Sequence, residues 1–179
     1  MVWEVIPETS QPGVVPSIKN GQLVVGDQWI STVGAYATPL IIECEISPEA
    51  PLGTGECFAI RFVPVEQGGA QELNRTFFLT PGGGSNGTAL ASFCAASMHA
   101  SEIVLTHRWE KPFNTAQRAR GMGDVWRVAL RVSNDHLDVT LNGQAVGVTD
   151  DGVPYENLRI QLSGLFAKNG WRVRNFSVR

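Results

Sequence analysis

Apolar and polar residues alternate with a period of two along most of this chain. Through VWRVALRVSNDHLDVTLNGQAVGV, Trp126, Val128, Leu130 and Val132 fall on one parity, with Arg127, Ala129 and Arg131 between them. A turn at Asn134-Asp135 follows, and the alternation resumes at Leu137, Val139 and Leu141 before Asn142-Gly143. Such alternation puts successive side chains on opposite faces of a strand, so each strand has a core face and an outer face. The same pattern predicts strands over 2–6, 22–25, 40–46, 57–63, 75–80, 102–108, 124–132, 137–141, 158–162 and 171–179, with Val146 and Val148 in a further one.

Gly, Pro, Asn and Asp punctuate these runs at short spacing, which indicates a β-sandwich or barrel. In the last run Trp171 and Val173 share one parity while Phe176 and Val178 share the other. One extra residue near Arg174-Asn175 restores the inward pattern, so a β-bulge is predicted there. One segment dissents. In TALASFCAASMHA, Leu90, Phe93, Cys94 and Ser97 or Met98 suit a helical period, so 88–99 reads as a helix or a compact loop excursion.

Composition narrows the class. A length of 179 residues suits one domain, 1–179, with a sizeable core, and 43% hydrophobic against 17% charged residues suits a globular chain. Nineteen glycines and ten prolines disfavour a helical bundle. The net charge of −3 argues against a nucleic-acid partner. No apolar run reaches the length of a membrane span, and MVWEVIPETSQPG shows no signal peptide, which fits a cytosolic protein or an excised domain of an exported one. The cysteines number three, so free thiols are expected, with Cys44 in the core and Cys57 on the opposite parity of its strand. Asn74, Asn86 and Asn175 head sequons that would accept glycans in a secretory setting.

Candidate chemistry is sparse. Gly82, Gly84 and Gly87 have the G-x-G-x-x-G spacing of a dinucleotide loop. Their strand-rich surroundings lack the strand–helix–strand units that such a loop serves, and the reading preferred is a surface loop. Glu43 and Glu45 stand two apart on one strand and project from the same face, as paired glycosidase carboxylates do. Arg61, Arg127 and Arg131 also alternate away from the core. Trp29 and Trp109 sit in turn-like surroundings, either as edge-of-core aromatics or as plates for the apolar face of a sugar ring. His136 has no partner by spacing.

The stretches PLIIECEIS, CFAIRFVP, DVWRVALRVSNDHLDVTLNGQAVGV and NLRIQLSG…WRVRNFSV resemble the concanavalin A-like lectin/glucanase superfamily. Within it they are similar to laminin G-type and 3-keto-disaccharide hydrolase-type domains. The resemblance covers most of the chain from about residue 40 onward. It implies an all-β, two-sheet antiparallel jelly-roll sandwich whose concave sheet presents polar residues to a glycan. Glucanases of the superfamily carry E-x-D-x-E, and here Glu43 and Glu45 fill two places while Ser47 or Pro48 stands in the third.

The expectation is therefore a non-catalytic, lectin-like carbohydrate-binding module using Glu43, Glu45, Arg61, Trp29 and Trp109. Its alternatives are a glycoside hydrolase of the 3-keto-disaccharide type and a sandwich that binds a protein partner. No cofactor is expected. A laminin G-type calcium site stays open, because the ligands of such sites are scattered in sequence.

Overall fold

The computed structural model describes residues 1–6, 15–53, 55–65, 74–81, 89–99, 102–112, 125–165 and 169–179. Two antiparallel sheets contain all of the secondary structure among these residues. One sheet, built around β7 (Phe58–Pro64), runs in the order β1 (Trp3–Val5), β4 (Ile30–Thr32), β14 (Asn157–Ser163), β7, β8 (Asn74–Thr80), β9 (Leu90–His99) and β10 (Glu102–Pro112). The short β5 (Tyr36–Ala37) also pairs with β14. The other sheet, built around β6 (Leu40–Pro48), runs β13 (Gln144–Thr149), β12 (Leu137–Leu141), β11 (Trp126–Val132), β6, β15 (Trp171–Val178), β3 (Gln22–Val25) and β2 (Ser17–Lys19). No helix among the described residues is long and apolar enough to cross a membrane.

The expected jelly-roll sandwich is the observed architecture. Leu40, Ile42, Cys44 and Ile46 of β6 meet Trp126, Val128, Leu130 and Val132 of β11 in register, all inward and buried. From the β7 sheet, Ile60 and Phe62 align with Leu162 and Ile160 of β14, and all four join the same core with Phe58 and Leu158. The two layers touch at Phe58 and Trp171, whose ring centroids lie 5.9 Å apart. Burying large side chains of this kind contributes about 1.5–3 kcal/mol each. The Asn142-Gly143 turn between β12 and β13 has φ of 51° and 79°, the left-handed pair that a tight hairpin requires.

The bulge is present. Between β15 and β6 the register passes from Arg174↔Glu45 to Ser177↔Glu43, three residues against two, with Asn175 left-handed at φ 50°. Trp171 and Val173 are buried before the bulge, and Phe176 and Val178 pack against the core after it.

The dissenting segment is corrected by the structure. Residues 90–99 form β9, paired with β8 on one side and β10 on the other. Ala91 and Phe93 are fully buried. The alanines and serines carry little periodic signal, and pairing along both edges overrides their local preference. The Gly82–Gly87 loop lies outside the described residues.

Candidate functional site

Because β6 is central, its outward residues acquire neighbours from both sides. Glu45 lies opposite Arg127 of β11 and Arg174 of β15, and Glu43 lies opposite Ala129 and Ser177. The Arg127 Nε lies 3.3 Å from one Glu45 oxygen, and the Asn175 amide donates to the other at 3.1 Å. Arg179 donates from Nη2 to Glu43 at 2.9 Å. Each carboxylate therefore has its own guanidinium. Glu43, Glu45, Arg127 and Asn175 line a depression of about 400 Å³ together with Ala129, Thr140 and Ser177. Asn175 reaches Glu45 because the bulge turns its backbone.

A second depression of about 540 Å³ lies further along the same face, lined by Ile41, Arg131, His136, Asp138 and Arg179 among others. The backbone of Arg179 pairs with Ile41 in both directions, at 2.7 and 3.0 Å, which holds its side chain between the two hollows. His136 does have partners here: its Nδ1 lies 2.8 Å from both Ser133 Oγ and Asp135 Oδ1. A catalytic triad needs serine and acid on different imidazole nitrogens. With both on one nitrogen, this cluster instead closes the turn between β11 and β12. The Ser133 hydroxyl foremost, and then His136, hold the Asp135 carboxyl below its ordinary range.

The five residues singled out from sequence do not converge. Glu43 and Glu45 share the outer face of the β6 sheet, whereas Arg61 and Trp29 belong to the β7 sheet. There the Arg61 guanidinium carbon stands 3.6 Å from the centroid of the Trp29 ring, a cation–π stack. Trp29 is 2% exposed, so the indole is enclosed rather than displayed. Ser31, Thr76 and Cys94, in the same cross-strand row as Arg61, are buried as well. Trp109 is not in a turn. It pairs with the inward Phe93 within β10, and its Cζ2 would lie 3.1 Å from a Cβ on Gly147 of β13. It thus fills the end of the space between the sheets.

Thr140 escaped the sequence reading, and so did Ser177, Arg179 and the Asn175 amide at the last strand. The signal for these last three lay in the parity of that strand once the bulge is allowed for. Ser47 and Pro48, at the third acidic place of the glucanase pattern, are both buried. Among the described residues, no three His, Cys, Asp or Glu side chains are grouped to hold a metal ion. Cys44, Cys57 and Cys94 are buried, and burial pushes the Cys44 and Cys57 thiols up to about 12, with Glu45 adding to the shift at Cys44.

No family model matches the chain, and no curated protein does. Solved structures do. The carbohydrate-binding module CBM66 from Bacillus subtilis superposes with a TM-score of 0.60 at 10% identity, over 99% of this chain and 94% of its own. The chain folds as a concanavalin A-like sandwich. A legume lectin-like domain from Entamoeba histolytica gives a TM-score of 0.62 at 10% identity, over 99% and 89% of the two chains. A candidate glycosyl hydrolase from Parabacteroides distasonis gives 0.58 at 12%, over 100% and 99%. At such identities the concanavalin A-like likeness establishes fold, and function has to be argued from the site.

Proposed function

We propose that this chain is a non-catalytic carbohydrate-binding module that receives a glycan on the outer face of the β6 sheet. The observation that carries the reading is the depression at Glu43 and Glu45. Two carboxylates, the Arg127 guanidinium, the Asn175 amide and the Thr140 and Ser177 side chains converge on one open hollow, and Arg179 of the adjoining hollow donates to Glu43. Such groups supply the paired acceptors and donors that neighbouring sugar hydroxyls need, and charged partners make the stronger hydrogen bonds. The missing third carboxylate separates this set from glucanase chemistry. The names of two structural neighbours, a carbohydrate-binding module and a lectin-like domain, support the same class.

The test is retention on a panel of immobilised glycans, with and without calcium, scoring bound protein and released sugar together. We expect retention without release, weakened by Glu45→Gln and unchanged by Arg61→Ala on the other sheet. Loss with Arg61→Ala and none with Glu45→Gln would move the site to the β7 sheet. Dependence on calcium would add a metal to the reading.

A second reading, a hydrolase of the 3-keto-disaccharide type, is favoured by the likeness to the candidate glycosyl hydrolase over essentially both chains. It requires time-dependent sugar release that Glu43→Gln or Glu45→Gln abolishes. No retention and no release, with self-association, would instead point to a protein partner.

A further inference from the structure

The strand β3 pairs with β15 only through Trp171↔Val25, Arg172↔Val24 and Val173↔Leu23. Beyond Val173 no described strand flanks β15 on that side, while its other edge stays paired with β6 as far as Val178. The bulge falls in this one-sided stretch. A notch of about 450 Å³ results, lined by Trp3, the Asn20-Gly21 turn, Gln22, Arg174, Asn175 and Phe176 among others. Trp3 comes from β1 of the opposite sheet and is half-buried, its ring edge-to-face with Phe176 at 5.1 Å. Asn20, at φ 52°, holds the turn that forms one wall.

The chemistry of this notch differs from that of the Glu43–Glu45 hollow. It offers an aromatic ring with the amides of Asn20 and Gln22, the Arg174 guanidinium and a backbone edge that no described strand flanks. An apolar ring face beside donors and acceptors is what a sugar ring needs, one face stacking and its hydroxyls turning outward. Asn175 lines both the notch and the hollow, so the two are contiguous across the bulge.

We propose that the notch is a second sugar subsite, with Trp3 as its stacking plate, and that the protein binds an oligosaccharide spanning both. This rests on the carbohydrate-binding reading above.

The test is calorimetric titration with ladders of β-1,3-gluco-, β-1,4-gluco- and α-manno-oligosaccharides of one to six sugars. Parent, Trp3→Ala, Gln22→Ala and Glu45→Gln proteins are compared, with melting temperatures measured alongside. Affinity of the parent should rise with length. Trp3→Ala should remove that gain, weakening the longest ligand about tenfold, or about 1.4 kcal/mol, while leaving the shortest unchanged. Glu45→Gln should weaken every length.

The same length dependence in parent, Trp3→Ala and Gln22→Ala overturns the subsite and leaves the carbohydrate reading standing. Binding of short sugars with no gain from length does likewise. No binding by any ladder overturns both. Should Trp3→Ala fail to fold, Gln22→Ala, on the rim of the notch, decides the matter by the same criterion.

Discussion

Replacing Asp151 by alanine tests how the two layers are held together. Arg75 points inward from β8, opposite Phe62 in register, and its side chain is only 10% exposed. Its Nη1 donates to Asp151, which follows β13 of the other sheet and is 21% exposed. At an ordinary hydrogen-bond separation of about 3 Å and an effective dielectric near 20, the gross attraction is about 5 kcal/mol. Desolvation offsets much of it, so the pair adds little over an apolar pair of the same volume. Removing one partner is different, because it strands a buried guanidinium at a cost of about 3–5 kcal/mol. Partial exposure of Asp151 admits water and favours the lower end, about 3 kcal/mol. For a chain of this size that corresponds to about 6–12 °C in melting temperature. Urea unfolding followed by tryptophan fluorescence, with calorimetry, measures both quantities. The double variant Arg75→Met/Asp151→Leu should recover to within about 1 kcal/mol of the parent. The reasoning is refuted if Asp151→Ala melts within about 2 °C of the parent, or if the double variant is no more stable than the single one.

Other perturbations probe separate features. Gly152→Ala places a Cβ 2.4–2.6 Å from backbone atoms of Ser133, Asn134 and His136, so we expect about 1–3 kcal/mol of destabilisation, and a melting curve matching the parent would contradict the packing. With thiols pushed up to about 12, Cys44 and Cys57 should stay unmodified by iodoacetamide at pH 8 in folded protein and react once it is unfolded in guanidinium; mass spectrometry of tryptic peptides decides this. Asp135 is held low in the fold, so its support of the turn is complete above the unfolded carboxylate value and lost as pH falls through the folded one. An NMR titration giving Asp135 an ordinary or raised midpoint would count against the Ser133 and His136 contacts.

How much of this was legible in sequence depends on how local each feature is. The alternation in β6, β7, β11, β12, β14 and β15 fixed their inward faces, and the parity break between Val173 and Phe176 located the bulge. The shared face of Glu43 and Glu45 follows from the same period of two. Strand partnership is another matter, since β6 pairs with β11 and β15, both distant in sequence. Nothing in the run around Arg61 says that it joins the opposite sheet. Trp29 and Trp109 were obscured differently. Trp29 directly precedes a strand of three residues, too short to show alternation, and Trp109 lies in a part of β10 where Lys111 and Pro112 resemble a turn. In β9 the small residues masked the period altogether.

The bulge ties the core to the proposed site. A strand without the extra residue would keep the parity of Trp171 and Val173, turning Phe176 and Val178 away from the core. With it, both side chains return inward, and the residue that absorbs the mismatch, Asn175, turns left-handed. That conformation costs asparagine less than most residues, which accounts for an asparagine at this position without appeal to function. Its amide nevertheless bonds to Glu45 and lines both hollows. The structural demand for one extra residue and the polar surface around Glu45 thus meet in a single side chain. An Asn175→Gly protein would keep the backbone and lose the amide, separating the two roles in a way that substitution at Trp171 or Val173 cannot.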